Sequence, residues 1–223
     1  MAKPPRAFVR PPTAQEAVLV ELRRRILTAE LAPGVQVLQE AFAEELGVSR
    51  VPVREALKIL AGEGLVRYKP QHGYFVTEHS GEELLEVYRI RQLLEAEAVR
   101  VGLGGLTLAG LAAMDAEADA VESAARQGDV AALIAANRRF HFTLFEASGR
   151  KRLVRLISQL WDAAEPYRAS YFADQDNRAT VPSEHRELAA AARRGSVPEV
   201  VRLLDAHRGR GMRALQGTEG FSG

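Results

Sequence analysis

The sequence has no cysteine, no long apolar run and almost no net charge, and each of these absences excludes something. Without cysteine the chain has no disulfide scaffold, no thiol nucleophile and no cysteine-bound zinc site. Any metal site must therefore use His, Asp, Glu or Asn side chains. The formal net charge of +1 gives no whole-chain argument for a nucleic-acid partner, so basic residues matter here by their position.

No apolar run approaches the ~20 residues that a transmembrane helix needs, and the N-terminus lacks the apolar core of a signal peptide. We therefore expect a soluble, cytoplasmic protein with no membrane partner. Apolar residues make up 47% of the 223 residues, which is enough for a substantial core. This length fits one large domain or two modest ones.

Prolines, glycines and helix-capping residues divide the chain. Four of the ten prolines lie in residues 1–12, which predicts a disordered tail. Capping boxes begin at Thr13 and at Ser80. Residues 13–79 read as three helices followed by a β-hairpin, and residues 80–215 read as helical throughout, with a frayed tail at 216–223. The chain is thus predicted to be mostly α, with an all-α antiparallel helical bundle after a smaller N-terminal domain.

In the first domain, the pattern predicts a helix from Thr13, helices at about 39–46 and 49–63, and the only plausible strand pair at Val66–Lys69 and Tyr74–Thr77. In the second, it predicts six helices, the fourth of them kinked or split at Pro166. These six lie at about 81–101, 107–127, 129–148, 151–176, 179–194 and 197–215.

The two short helices on either side of Gly47 form a helix-turn-helix pattern. In that motif the second helix enters the DNA major groove with its N-terminal residues leading. Arg50 and Arg54 lie four residues apart at the start of this helix and share a face, where arginine pairs well with guanine. A solvated helix face is the plainer explanation of such a pair alone. The hairpin turn at His72 and Gly73 is then a wing beside the groove.

Three of the five histidines lie in the helical part of the chain. Asn137 and His141 are four residues apart and point the same way from one helix. His185 and His207 each lie 11 residues from the turn at Ser196, so an antiparallel hairpin places them at the same height. Neutral imidazoles are good zinc ligands, and unrelated core histidines are the alternative explanation.

Residues 18–77 resemble the winged-helix domain of GntR-family bacterial transcription regulators. The resemblance implies a winged helix-turn-helix that binds double-stranded operator DNA, and many members carry arginine where this chain has His72. The matching segments are Ile26-Leu27, Leu31-x-Pro33-Gly34, Leu46–Arg50, Pro52–Leu57, Glu63–Val66 and Gly73-x-x-Val76. The predicted DNA-contacting residues are Ser49, Arg50, Val51, Pro52, Arg54, His72 and Gly73.

Residues 81–215 resemble the FCD effector domain of the FadR subfamily. The matching residues are Tyr88, Arg91, Leu94, Glu95, Asn137, Phe140, His141, Glu184, His185, Leu188, Ala206 and His207. The resemblance implies a divalent metal, most simply Zn with Ni or Mn as alternatives, held by Asn137, His141, His185 and His207. Many FCD domains have Asp at the first of these positions, so Asn137 makes the site less anionic.

The same resemblance implies a small carboxylate effector that completes the metal coordination, with charge-assisted contacts from Arg91 and Arg89. A buried pair with Glu95 is an equally good explanation of Arg91. We therefore expect a homodimeric regulator, in the simplest case a repressor, that binds a palindromic operator. Two alternatives stay open, namely a metal-dependent enzyme and a metal-free regulator that binds an acyl-type effector.

Overall fold

The structure, a computed structural model, describes residues 12–216, which form two compact units. The first unit contains Gly34–Thr77 and the chain up to Arg25, and the second contains Ile26–Pro33 and the chain from Glu78 onward. The predicted tails at 1–12 and 216–223 lie outside the described residues, apart from Pro12 and Gln216.

The first unit is a helix-turn-helix packed against a small antiparallel sheet. Its elements are α1 (Ala14–Leu27), β1 (Gln36–Val37), α2 (Gln39–Glu45), α3 (Arg50–Gly62), β2 (Val66–Lys69) and β3 (Gly73–Val76). The strand order is β1-β3-β2. Apolar residues four and three apart along α3, namely Val53, Leu57 and Leu60, are fully buried and bring this helix onto the core.

Two details of this unit differ from the sequence prediction. A third strand, β1, pairs with β3, with Gln36 opposite Phe75. A two-residue strand is too short to show the alternation by which strands are recognised, so the sequence pattern missed it. Ser49 occupies the N-cap position of α3, but its side chain makes no capping hydrogen bond. The capping box at Thr13 is present, with Glu16 N 3.2 Å from the Thr13 hydroxyl.

The second unit is all helical, and the mostly α fold class is confirmed. Its elements are α4 (Gly81–Gly102), a 3-10 turn (Leu103–Gly105), α5 (Leu108–Gln127), α6 (Val130–Glu146), α7 (Lys151–Ala173), α8 (Gln175–Arg193) and α9 (Val197–Gln216). The capping box of Ser80 and Glu83 starts α4. Within residues 12–216, no helix combines the length and the apolar character that crossing a bilayer requires.

The boundary between α7 and α8 also differs from the prediction. α7 continues across Pro166 as one helix but ends at Ala173, and α8 begins at Gln175. Asp174 starts α8 because its carboxylate accepts a hydrogen bond of 2.9 Å from the backbone N–H of Asn177. The sequence pattern predicts the start of this helix at about residue 179, four residues later than it lies.

The end of α4 packs against the turn after α6 through a glycine. A Cβ added at Gly102 would lie 2.5 Å from the backbone nitrogen of Ser148 and 2.7 Å from its Cα. Backbone atoms cannot move aside cheaply, so only glycine fits at this position. By contrast, a Cβ at Gly104 would meet no atom within 4 Å.

The substitution Gly102→Ala should therefore lower the free energy of unfolding by about 1–3 kcal/mol, the usual cost of overpacking. Gly104→Ala is the matched control and should leave stability nearly unchanged. Urea denaturation followed by circular dichroism measures both. Equal stability of the two variants would contradict the close contact at Gly102.

Candidate metal centre and nucleic-acid interface

Three histidines from three helices meet in the core of the second unit. His141 comes from α6, His185 from α8 and His207 from α9. Their ring centroids are 5.1, 5.0 and 5.2 Å apart, and one ring nitrogen of each lies within 4.8 Å of the others. A triangle of this size brings three imidazoles toward one point, as the Zn–N distance of roughly 2.0–2.1 Å requires.

Several buried polar atoms at this point have no hydrogen-bond partner among the described residues. They are both ring nitrogens of His141, Nε2 of His185 and both amide atoms of Asn137, which lies one turn before His141 on α6. An unpaired buried polar group costs about 1–3 kcal/mol, so such a concentration is unusual. Neutral nitrogen donors with one amide oxygen are a donor set that fits a divalent transition metal.

The other nitrogens of two histidines are held by groups outside the triangle. His185 Nδ1 lies 2.8 Å from the Val181 carbonyl, and His207 Nδ1 is hydrogen bonded to the Glu184 carboxylate. Such bonds fix the ring orientation and leave Nε2 as the ligand atom. Glu184 also forms an ion pair with Arg210. No spacing in the sequence predicts the contact between Glu184 and His207, because the two residues lie on different helices.

Burial keeps all three imidazoles neutral. Desolvation is the main cause that lowers the pKa of His185 to about 3, and it also lowers the pKa values of His141 and His207. The nearby positive charge of Arg168 adds to the effect on each. Neutral imidazole is the form that binds a metal.

A small cavity of about 30 Å³ lies beside His207. Three of its lining residues are arginines. The full lining is Tyr88, Arg91, Arg168, Tyr171, Phe172, His207, Arg208 and Gly211. Arg168 was not predicted. Its position in the sequence carries no recognisable motif, and only the packing of α7 brings it here. Arg89 lies outside this cavity, is exposed, and donates a hydrogen bond of 3.0 Å to Gln92.

The buried carboxylate of Glu95 joins three helices and binds two of the arginines that line this cavity. It accepts hydrogen bonds from Arg91 Nε at 2.9 Å, Trp161 Nε1 at 2.7 Å and Arg208 Nη2 at 2.6 Å. The pair of Arg91 and Glu95, one of the two explanations of Arg91, is therefore present. Although burial raises the pKa of Glu95, the two arginines hold it at about 2.

In the first unit, both predicted recognition arginines lie on the surface at the start of α3. The Arg50 side chain is 64% exposed and forms an ion pair of 2.6 Å with Glu40. Arg54 is 54% exposed and lies 3.5 Å from Glu55. Beside them Val51 is exposed and Pro52 is half-buried. The hydroxyl of Ser49 caps no helix nitrogen, so it is free to bind another acceptor or donor.

The hairpin turn is supported from the side by β1. His72 is exposed at the turn, and Gln36 Nε2 donates a hydrogen bond of 2.6 Å to its carbonyl. Gly73 has φ +85° and Gln71 has φ 64°, the left-handed conformation that tight turns favour. The Gln36 contact was missed together with the strand that carries it.

Comparison with known proteins gives matches over most of the chain. The family described as "Bacterial regulatory proteins, gntR family" matches residues 14–76, and the family described as "FCD domain" matches residues 86–210. The HTH-type transcriptional regulator McbR of Escherichia coli K12 is 32% identical over 141 residues, which is 63% of this chain and 64% of that protein. The match thus spans just under two thirds of that relative.

A shorter match is with a protein named as a repressor. The gluconate operon transcriptional repressor of Bacillus subtilis 168 is 41% identical over 78 residues, or 35% of this chain and 32% of the repressor. Among solved structures, E. coli McbR/YncC superposes with a TM-score of 0.82 at 26% identity, covering 92% of this chain and 98% of that one.

The Glu95 contacts lead to a stability prediction. Glu95→Gln should lower the free energy of unfolding by about 3–5 kcal/mol, because it leaves two buried arginines without their shared carboxylate. The wild type should lose this contribution as the pH falls from about 4.5 toward 2, since the folded pKa lies below the ordinary value of 4.5.

Glu97→Gln is the matched control for this prediction, because Glu97 lies on the same helix but is 54% exposed. Chemical denaturation at pH 7 and at pH 3 gives the comparison. If the two variants have the same free energy of unfolding at pH 7, Glu95 does not have the structural role described here.

Proposed function

Because the chain belongs to the GntR family of bacterial regulatory proteins and carries an FCD domain, we propose that it senses a small carboxylate at a metal centre and changes its DNA binding in response. The family and the relatives establish DNA-binding transcription regulation, and they support a protein that is not an enzyme. The metal, the carboxylate and the dimer are our proposal.

The observation that carries the proposal is the buried triangle of histidines beside an arginine-lined cavity. His141, His185 and His207 would hold the metal through ring nitrogens, and Asn137 through its amide oxygen. Zinc suits this set best, with nickel or manganese as alternatives. When bound, the metal supplies a positive centre that accepts a carboxylate oxygen. The arginines beside it favour the same charge.

The size of the cavity argues against the acyl-type effector. The cavity has a volume of about 30 Å³, and one water molecule needs roughly 10–15 Å³ of such space. The space beside His207 is small and partly open to solvent, and it therefore favours a small acid over a fatty chain. Assignment to the FadR subfamily remains a prediction from the sequence motifs.

On the DNA side, we propose that the first unit reads a palindromic operator as part of a homodimer in the cytoplasm. Arg50 and Arg54 contact bases, with Val51 and Pro52 beside them, and Ser49 contacts phosphate. The wing residues His72 and Gly73 approach the backbone. Repression is the simplest outcome, since one relative is named as a repressor. Effector binding would then relieve it with a coupling of about 5–150-fold in operator affinity.

Metal analysis tests the first part. Protein reconstituted with Zn²⁺ and desalted should hold about one metal per chain by plasma mass spectrometry, and chelator should lower its melting temperature. His141→Ala should retain less than about a tenth of the metal, because it removes one of few donors. His79→Ala is the control, since His79 lies outside the triangle. If the reconstituted wild type contains no metal and chelator leaves its melting temperature unchanged, the proposed metal centre is wrong.

Operator binding tests the second part. An operator selected from random DNA should lose about tenfold or more in affinity with Arg50→Ala and with Arg54→Ala, because each removes a base contact. Arg155→Ala, an exposed arginine on α7, should bind as the wild type does. Sedimentation of all three variants should show the same oligomer. Unchanged operator affinity in both α3 variants would overturn this use of the helix.

A further inference from the structure

The three arginines that line the cavity beside His207 are unequally paired with carboxylates. Arg91, Arg168 and Arg208 line it, and no carboxylate does. Arg208 is the best compensated of the three, with Glu95 at 2.6 Å and Asp205 at 2.7 Å. The question is therefore what the other two arginines bind.

Arg91 uses only part of its guanidinium group. The residue is 2% exposed, and its Nε donates to Glu95. Its Nη1 is buried and has no hydrogen-bond partner among residues 12–216. A buried guanidinium N–H without an acceptor is costly. The unpaired Nη1 group can therefore donate to an acceptor that the described residues do not supply.

Arg168 is compensated even less. It is 8% exposed, and Glu165, at 3.8 Å from its Nε, is the only described carboxylate within 4.0 Å. Glu165 is also shared with Arg138, whose Nη1 lies 3.4 Å away. The Arg168 side chain is thus mostly covered, and its charge has one distant, shared counter-charge.

Both arginines lie against the same indole ring. The guanidinium carbons of Arg91 and Arg168 are 4.4 and 4.3 Å from the centre of the Trp161 ring, and the His141 ring is 5.2 Å from it. Trp161 therefore holds the two cations and the first histidine of the triangle in one small neighbourhood.

From the unpaired Nη1 of Arg91 and the single distant contact of Arg168 we infer that the effector carries two anionic groups. One binds the metal, and the other binds Arg168 together with Nη1 of Arg91. The inference rests on the proposed function, since it takes the metal centre as the first contact. A divalent metal held by neutral ligands would add two positive charges to the site and no negative charge. A single carboxylate on the metal would leave the buried Arg91 Nη1 without an acceptor and Arg168 with Glu165 alone.

The closeness of the two arginines to the histidine triangle limits the spacing of the two groups. The guanidinium carbons of Arg91 and Arg168 lie 4.4 and 4.3 Å from the centre of the Trp161 ring, and the His141 ring lies 5.2 Å from it, which favours short diacids with one or two carbons between their carboxylates. Longer diacids, with four or more such carbons, exceed this spacing and should bind more weakly. The predicted ligand class is therefore a short dicarboxylate or an equally compact dianion.

Calorimetry on zinc-loaded full-length protein with matched acids tests this. The probes are malonate against propionate and succinate against butyrate, with adipate as the long diacid. Wild type should bind at least one short diacid about tenfold or more tightly than its monoacid partner. Arg168→Gln should reduce that ratio to about two or less while its affinity for the monoacid stays within about twofold.

Two control variants test whether the result comes from unfolding or from a long-range charge effect. Arg168→Lys keeps the positive charge and should retain part of the preference for diacids. Arg155→Gln removes an exposed arginine from the same helix and should keep all of it. Metal content measured on every sample shows that the first contact is intact.

The outcomes separate the two claims. If wild type binds monoacids and diacids equally, or if Arg168→Gln keeps the preference, the dianion inference is wrong and the proposed function stands. If the zinc-loaded protein binds none of these acids, carboxylate sensing itself is wrong and the inference fails with it.

Discussion

One buried carboxylate organises the core of the helical unit. Glu95 on α4 binds Arg91 of its own helix, the indole N–H of Trp161 on α7 and Arg208 on α9. It thereby sets the separation of three helices that surround the cavity. Because α9 also carries His207, one residue before Arg208, the position of a metal-triangle histidine depends on the same contact. The stability of the core and the geometry of the histidine triangle thus depend on one group.

Burial has two opposite uses in this core. For the imidazoles it removes charge, and it leaves them as neutral donors that point at one another. For the arginines it cannot remove charge, because guanidinium stays protonated under all ordinary conditions. The same low-polarity region therefore contains neutral imidazoles and permanent cations side by side. An anionic ligand would be favoured there over a neutral molecule of the same shape.

Contacts between residues far apart in the sequence could be predicted only where a helical period or the symmetry of a helical hairpin relates the two residues. Asn137 and His141 share a face by their spacing, and the equal distances of His185 and His207 from Ser196 predict their meeting. Glu184 and Arg168 have no such relation to their partners, because α8, α9 and α7 pack according to the shapes of many side chains. Similarly, β1 is recognisable only through its pairing with β3. The start of α8 depends on a cap at Asp174, whose hydrogen bond to Asn177 becomes evident only in the folded chain.

The ion pair between Arg50 and Glu40 bears on how a protein of this kind searches DNA. With Arg50 in the DNA-contacting role proposed above, a duplex would have to displace Glu40, and this exposed pair is worth at most about 1 kcal/mol. That cost would be the same for every DNA sequence, so the ratio of the affinities for correct and random sites would stay unchanged. It would instead shorten the time spent on every site in equal measure. Glu40 would thereby speed the exchange between sites, while a well-placed guanine, bound through two hydrogen bonds, still marks the correct one.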